Sequence, residues 1–154
     1  MASGSEGPVL TLNRRFAAPR DVVFGAFVDP NQIARWFGPD GFSVPSVVFV
    51  PHVGCRYRIT LQPPEGERFH LAGAVCRADP SQLLEFTFGY EEPSADDVEN
   101  RATLLFADLG ANASEVHLTH GAFKTEERRA LHQKGWSDSL DKLERIVATP
   151  APSG

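Results

Sequence analysis

Cysteine is scarce: the 154 residues contain only Cys55 and Cys76. Two thiols outside any C-x-x-C pair make neither a disulfide framework nor a zinc site, so a reducing, cytoplasmic setting is expected. Long apolar runs are missing as well. No stretch approaches the roughly 18 residues that cross a bilayer, and the first ten residues have neither a basic start nor an apolar leader segment. Neither a membrane span nor a secretion signal is therefore expected. Basic residues are in deficit, 15 against 20 acids, for a formal charge of -5. Five of the acids, Glu91, Glu92, Asp96, Asp97 and Glu99, fall in one stretch without Lys or Arg, which leaves the rest balanced at 15 to 15. A chain with no basic stripe is not expected to bind nucleic acid, and the acidic stretch reads as a solvated loop. Glycine-rich phosphate loops, a G-x-S-x-G elbow and a helical H-x-x-x-H pair are also absent, so no metal, cofactor or catalytic nucleophile is implied.

Apolar residues are plentiful. Hydrophobic residues make up 42% of the chain, including eleven Phe, two Trp and two Tyr. That is enough to build one core in a chain of about one domain's length. Residues 1–8 and 149–154 read as polar or proline-bearing tails around a single domain, 9–148.

Val9, Leu10, Leu12 and Phe16 suggest a first strand. Pro19 fits a first helical position, and Val23, Phe24, Phe27 and Val28 share one face of a short helix. Asp29-Pro30-Asn31-Gln32 starts a second helix through an Asp cap, a proline at the first position and a capping-box-like Gln, ending near Gly38. Period-two alternation follows at Cys55, Tyr57, Ile59 and Leu61, then at Phe69, Leu71, Gly73 and Val75, and again at Leu84, Phe86 and Phe88. Leu104 with Phe106, then Val116, Leu118 and His120, complete an antiparallel meander of about six strands with one wet face. A long helix over about Thr125 to Val147 closes the chain, with Trp136, Leu140, Leu143 and Val147 as its apolar stripe. The fold class is α+β, a sheet with helices on one side.

Three segments, Ala18-Pro19-Arg20-Asp21-Val22-Val23-Phe24, Asp29-Pro30 and Trp36-Phe37-Gly38-Pro39, resemble the opening of the START-like superfamily, also called SRPBCC or Bet v I-like. Within it, Val53-Gly54-Cys55-Arg56-Tyr57-Arg58, Leu118-Thr119-His120-Gly121-Ala122-Phe123 and His132-Gln133-Lys134-Gly135-Trp136 resemble the AHSA-like family, named for the activator of the heat-shock chaperone ATPase. The likeness spans about Leu10 to Val147 and departs at Cys55, where the family usually has a second Gly. It implies a helix-grip fold, a curved antiparallel sheet wrapped around the terminal helix, with an apolar ligand commonly held between the two. Fold transfers through such a likeness better than function does.

Tyr57, Ile59, Leu61, Leu71, Phe86, Phe88, Leu104, Phe106 and Leu118, facing Trp136 and Leu140, describe either the lining of that cavity or an ordinary filled core; the resemblance favours the cavity. Trp36 and Phe37 fit an entrance lid or an aromatic plug equally well. Gly135, mid-helix, costs about 1 kcal/mol against Ala, which tight packing or a close ligand approach would repay. His117 and His120 point to opposite faces of one strand and cannot chelate together. His120 and His132 are placed to offer polar groups inside.

Three functions follow. The first is non-enzymatic binding or carriage of a small hydrophobic molecule, oriented by His120, Tyr57 or His132. Another is an enzyme on an aromatic or polyketide-like substrate, with His120 or His132 as general acid or base. The third, suggested only by the family's name, is a co-chaperone-like interaction module. A homodimer through a sheet edge near the acidic loop is left open.

Overall fold

The computed structural model describes residues 7–148. Most of both expected tails lies outside these residues. Pro8 is tied down, because its carbonyl accepts the Phe123 N–H at 2.8 Å. The elements run β1 (Leu10–Phe16), α1 (Arg20–Val28), α2 (Pro30–Trp36), β2 (Ser43–Val48), β3 (Arg56–Gln62), β4 (Phe69–Asp79), β5 (Leu83–Tyr90), β6 (Asn100–Gly110), β7 (Ala113–Gly121) and α3 (Glu126–Ala148).

All seven strands form one antiparallel sheet in the order β1-β7-β6-β5-β4-β3-β2. The expected count of six is one short, and β2 is the strand not foreseen. Its inward residues Val44 and Val47 are three apart because a register shift between Ser43 and Ser46 inserts a bulge containing Pro45. That bulge erases the period-two signal. It also sits on an edge strand, where a missing N–H costs least.

The order of strands overturns a second expectation. The acidic loop joins β5 to β6, which are neighbours in the middle of the sheet, so it adjoins neither edge. Its residues are exposed, as expected, apart from Asp97, which anchors it. Asp97 pairs with Arg128 of α3 and accepts the Ser94 N–H at 2.8 Å, while Lys124 Nζ donates to the Ala95 carbonyl at 2.6 Å. Burial opposes ionisation of Asp97, but the Ser94 N–H and Arg128 outweigh it and hold the carboxyl below its ordinary range.

Each short helix has a local cause. Pro19 caps α1 rather than opening it: its backbone is extended, and its carbonyl accepts the N–H groups of Val22 and Val23. Asp29 caps α2, with Oδ1 accepting the Asn31 N–H at 2.9 Å and Oδ2 the Gln32 amide at 3.3 Å. This helix stops at Trp36, because Phe37 is already extended.

The core lies between the sheet's inner face and the helices. Phe24 and Phe27 of α1 meet Phe106 edge-on at 5.1 and 5.4 Å. Across β4, Tyr57 stands opposite Gly73, and its hydroxyl reaches over to donate to the Thr87 carbonyl of β5 at 2.6 Å. Thr87 Oγ1 in turn accepts the Ala74 N–H at 2.9 Å. Together these two bonds satisfy backbone groups at an irregular stretch of the β4–β5 ladder.

Candidate functional site

A cavity of about 140 Å³ lies between the sheet and α3. Leu61 of β3, Phe69 and Leu71 of β4, and Phe88 and Tyr90 of β5 form its floor; Leu131, His132, Gly135, Trp136 and Ser139 of α3 form its roof. The segment Phe37-Gly38-Pro39 with Phe42 closes one end. Leu131 lines the cavity yet is 55% exposed, which places the mouth beside it. A void of this size holds a single aromatic ring. A satellite space of about 20 Å³, with Tyr57, Ile59, Phe86 and Trp36 on its wall, shares Phe37, Leu71, Phe88 and Trp136 with it. A depression of about 430 Å³ beside Leu12 is lined mainly by polar residues of α3, including Arg129, Lys134 and Asp138, and lacks an apolar enclosure.

The expected site residues therefore divide into three groups. Phe37, Leu61, Leu71, Phe88, His132 and Trp136 lie on the main cavity. Trp36, Tyr57, Ile59 and Phe86 reach only the satellite space. Leu104, Phe106, Leu118, His120 and Leu140 line neither and are buried in the core. Trp36 is a plug: it is buried, and its indole N–H donates to the Ala26 carbonyl at 3.0 Å. Its ring meets that of Phe37 edge-on at 5.7 Å, and Phe37 in turn meets Trp136 at 5.8 Å.

Tyr90, Phe42, Phe69, Ser139, Leu131 and the Gly38-Pro39 turn join the wall without having been foreseen there. Tyr90 continues the Leu84, Phe86, Phe88 alternation by one more step. Leu131, Gly135 and Ser139 repeat every four residues, a second stripe beside the one through Trp136. Phe42 sits between elements and carries no periodic signal.

The partners fix the protonation of both histidines. Trp136 Nε1, which can only donate, bonds His120 Nδ1 at 3.0 Å, so the His120 proton is on Nε2 and goes to Asn100 Oδ1 at 2.8 Å. Asn100 holds that orientation by donating its own amide to the Ala122 carbonyl. His120 is wholly buried between the rings of Phe88 and Phe123, and burial pushes its pKa down to about 3. His132 is the opposite tautomer. The Arg128 carbonyl, 2.7 Å from Nδ1, can only accept, which leaves Nε2 to take the Tyr90 hydroxyl proton at 2.6 Å. Burial lowers the His132 pKa and raises that of Tyr90, so the neutral pair is the favoured one.

A latch holds the closed end. Ser139 Oγ accepts the Gly38 N–H at 2.9 Å and donates to the Gly135 carbonyl at 2.8 Å, while Lys142 Nζ donates to the Gly38 carbonyl at 2.8 Å. Gly38 has φ +101, and a Cβ there would approach Leu61 to 3.0 Å, so the turn needs glycine. Cys55 and Cys76 are free and half-buried. Among the described residues no three His, Cys, Asp or Glu gather as a metal site, and no helix is long and apolar enough to cross a membrane.

Seven antiparallel strands curved about a long terminal helix, with a cavity between them, define a helix-grip α+β protein. The family described as Activator of Hsp90 ATPase homolog 1-like protein matches residues 17–148, and the chain belongs to that family. Solved structures agree in fold. A Chromobacterium violaceum protein is 22% identical at a TM-score of 0.83, covering 92% of this chain and 98% of its own. The AHSA1 protein of Silicibacter pomeroyi is 26% identical at 0.80, with the same coverage of 92% and 98%. An Arthrobacter aurescens protein solved by NMR is 19% identical at 0.81, covering 97% and 91%. No curated protein matches the chain.

Proposed function

We propose that this chain binds and carries a small, largely apolar molecule in the cavity beneath α3. The observation that supports this most is the cavity itself: about 140 Å³ walled by Phe37, Phe42, Phe69, Phe88 and Trp136 and left unfilled. Burying one aromatic ring of roughly 150 Å² there contributes on the order of 4 kcal/mol before ordering costs. The ligand enters past Leu131, and the latched Gly38-Pro39 turn shields its far end.

Binding is favoured over catalysis because both ring nitrogens of His120 are committed to Trp136 and Asn100, and those of His132 to Arg128 and Tyr90. A general acid or base needs a nitrogen facing the substrate. The cytoplasmic setting and the low rank of a chaperone partner remain as the sequence suggests them.

The test is to purify the untagged full chain and compare its native and denatured masses, extracting any difference for identification. A bound mass near one equivalent supports the reading. A clean apo mass, together with failure of every small aromatic to bind at millimolar concentration, contradicts it.

A further inference from the structure

We infer that the cavity selects a neutral ligand carrying a hydrogen-bond donor, a hydroxylated single ring of the phenol class, whose O–H donates to the Tyr90 oxygen. The inference rests on the binding role proposed above and names the chemistry of its occupant.

It follows from counting protons on the wall. Four polar side chains line the cavity or touch its lining: Tyr90, His132, Ser139 and the indole of Trp136. Each donor is already spent. Trp136 Nε1 gives its hydrogen to His120, and His132 Nδ1 gives its own to the Arg128 carbonyl. Tyr90 donates to His132 Nε2, and Ser139 donates to the Gly135 carbonyl. Lys142, next to the latch, spends a hydrogen on the Gly38 carbonyl. A nearby donor left without a partner, Arg128 Nε, belongs to a crevice that shares Phe88, Tyr90 and His132 with the cavity, but at about 10 Å³ that crevice is too small to admit a ligand group.

What the lining side chains retain is lone pairs. Tyr90 is one of them, and its oxygen, 2.6 Å from His132 Nε2, still accepts after donating its proton. A carbonyl, nitrile or carboxylate ligand would meet acceptors with acceptors and be left unpaired, a costly outcome in a buried site. No carboxylate lines the cavity to pair with an ammonium, so a cationic amine is disfavoured as well. The aromatic wall and the single-ring volume select the phenol skeleton.

The experiment titrates the full chain with phenol, benzonitrile and toluene by calorimetry, then repeats the series with His132→Phe. That variant keeps the ring that packs on Phe123 at 4.8 Å but frees the Tyr90 proton. In the wild type, phenol should bind about tenfold tighter than benzonitrile or better. In His132→Phe, Tyr90 can donate, and the phenol-to-benzonitrile ratio should fall at least tenfold. Toluene binding with benzonitrile equal to or tighter than phenol in the wild type overturns the donor rule alone. So does an unchanged ratio in the variant. Absence of saturable binding by all three overturns the carrier reading with it. Should His132→Phe not fold, the wild-type comparison decides by itself.

Discussion

Trp136, midway along α3, donates its indole N–H to Nδ1 of His120 on β7 at 3.0 Å. This single bond joins the roof of the cavity to the sheet and sets the tautomer of a fully buried imidazole. Trp136→Phe keeps an aromatic ring but leaves that nitrogen unpaired in a dry site. Together with the lost volume this should cost about 2–3 kcal/mol, read as a lower urea midpoint at unchanged slope.

Stability should fall on mild acidification. The unfolded His120 imidazole takes up a proton near pH 6.5, the folded one only near 3, so between these values the unfolded state binds more protons. The loss approaches about 1.4 kcal/mol per pH unit below pH 6.5 from His120 alone. His132 adds in the same direction, because its folded pKa is also lowered. Unfolding free energies at pH 7, 6 and 5 should show this decline, and a folded His120→Gln variant should show a shallower one.

Two glycine-to-alanine changes should act oppositely. At Gly73 a Cβ would lie 2.1 Å from the Thr87 carbonyl oxygen, which Tyr57 also uses, so Gly73→Ala must displace backbone and should cost about 3 kcal/mol. At Gly135 the nearest atom to a Cβ is Pro39 Cγ at 3.6 Å, an ordinary contact. Gly135→Ala should therefore gain up to about 1 kcal/mol of helix propensity, or about 3 °C in Tm by calorimetry. It should also weaken binding of apolar ligands, because the added methyl stands on the cavity roof.

Removing the latch should loosen the closed end. Ser139→Ala strands the Gly38 N–H, and hydrogen exchange at Gly38 should accelerate by roughly tenfold or more while exchange in β6 and β7 stays unchanged.

The sheet, the three helices and the Asp29 cap were legible because period-two and period-3.6 patterns and capping chemistry are local. Strand β2 was not, since the Pro45 bulge breaks its alternation and an edge strand needs little apolar residue content. The site was legible in part. Trp136, Phe88, Leu61 and Leu71 follow from which face of each element points inward. That Phe106 packs under α1 while Phe69 and Tyr90 line the void depends on which helix lies over which strand. No periodicity encodes that. Nor does composition reveal that the two histidines are opposite tautomers, because all their partners but Arg128, one turn before His132 in α3, come from other elements: Trp136 and Asn100 for His120, Tyr90 for His132.

The most direct test of the central claim is a benzene titration of the isotope-labelled chain followed by amide NMR, in the wild type and in Gly135→Leu, whose side chain would occupy the void. The account predicts saturable shifts confined to residues around Phe37–Phe42, Phe69–Leu71, Phe88–Tyr90 and Leu131–Ser139, and their loss in a folded Gly135→Leu. Shifts that never saturate, or that persist unchanged in that variant, would contradict a ligand-binding cavity beneath α3.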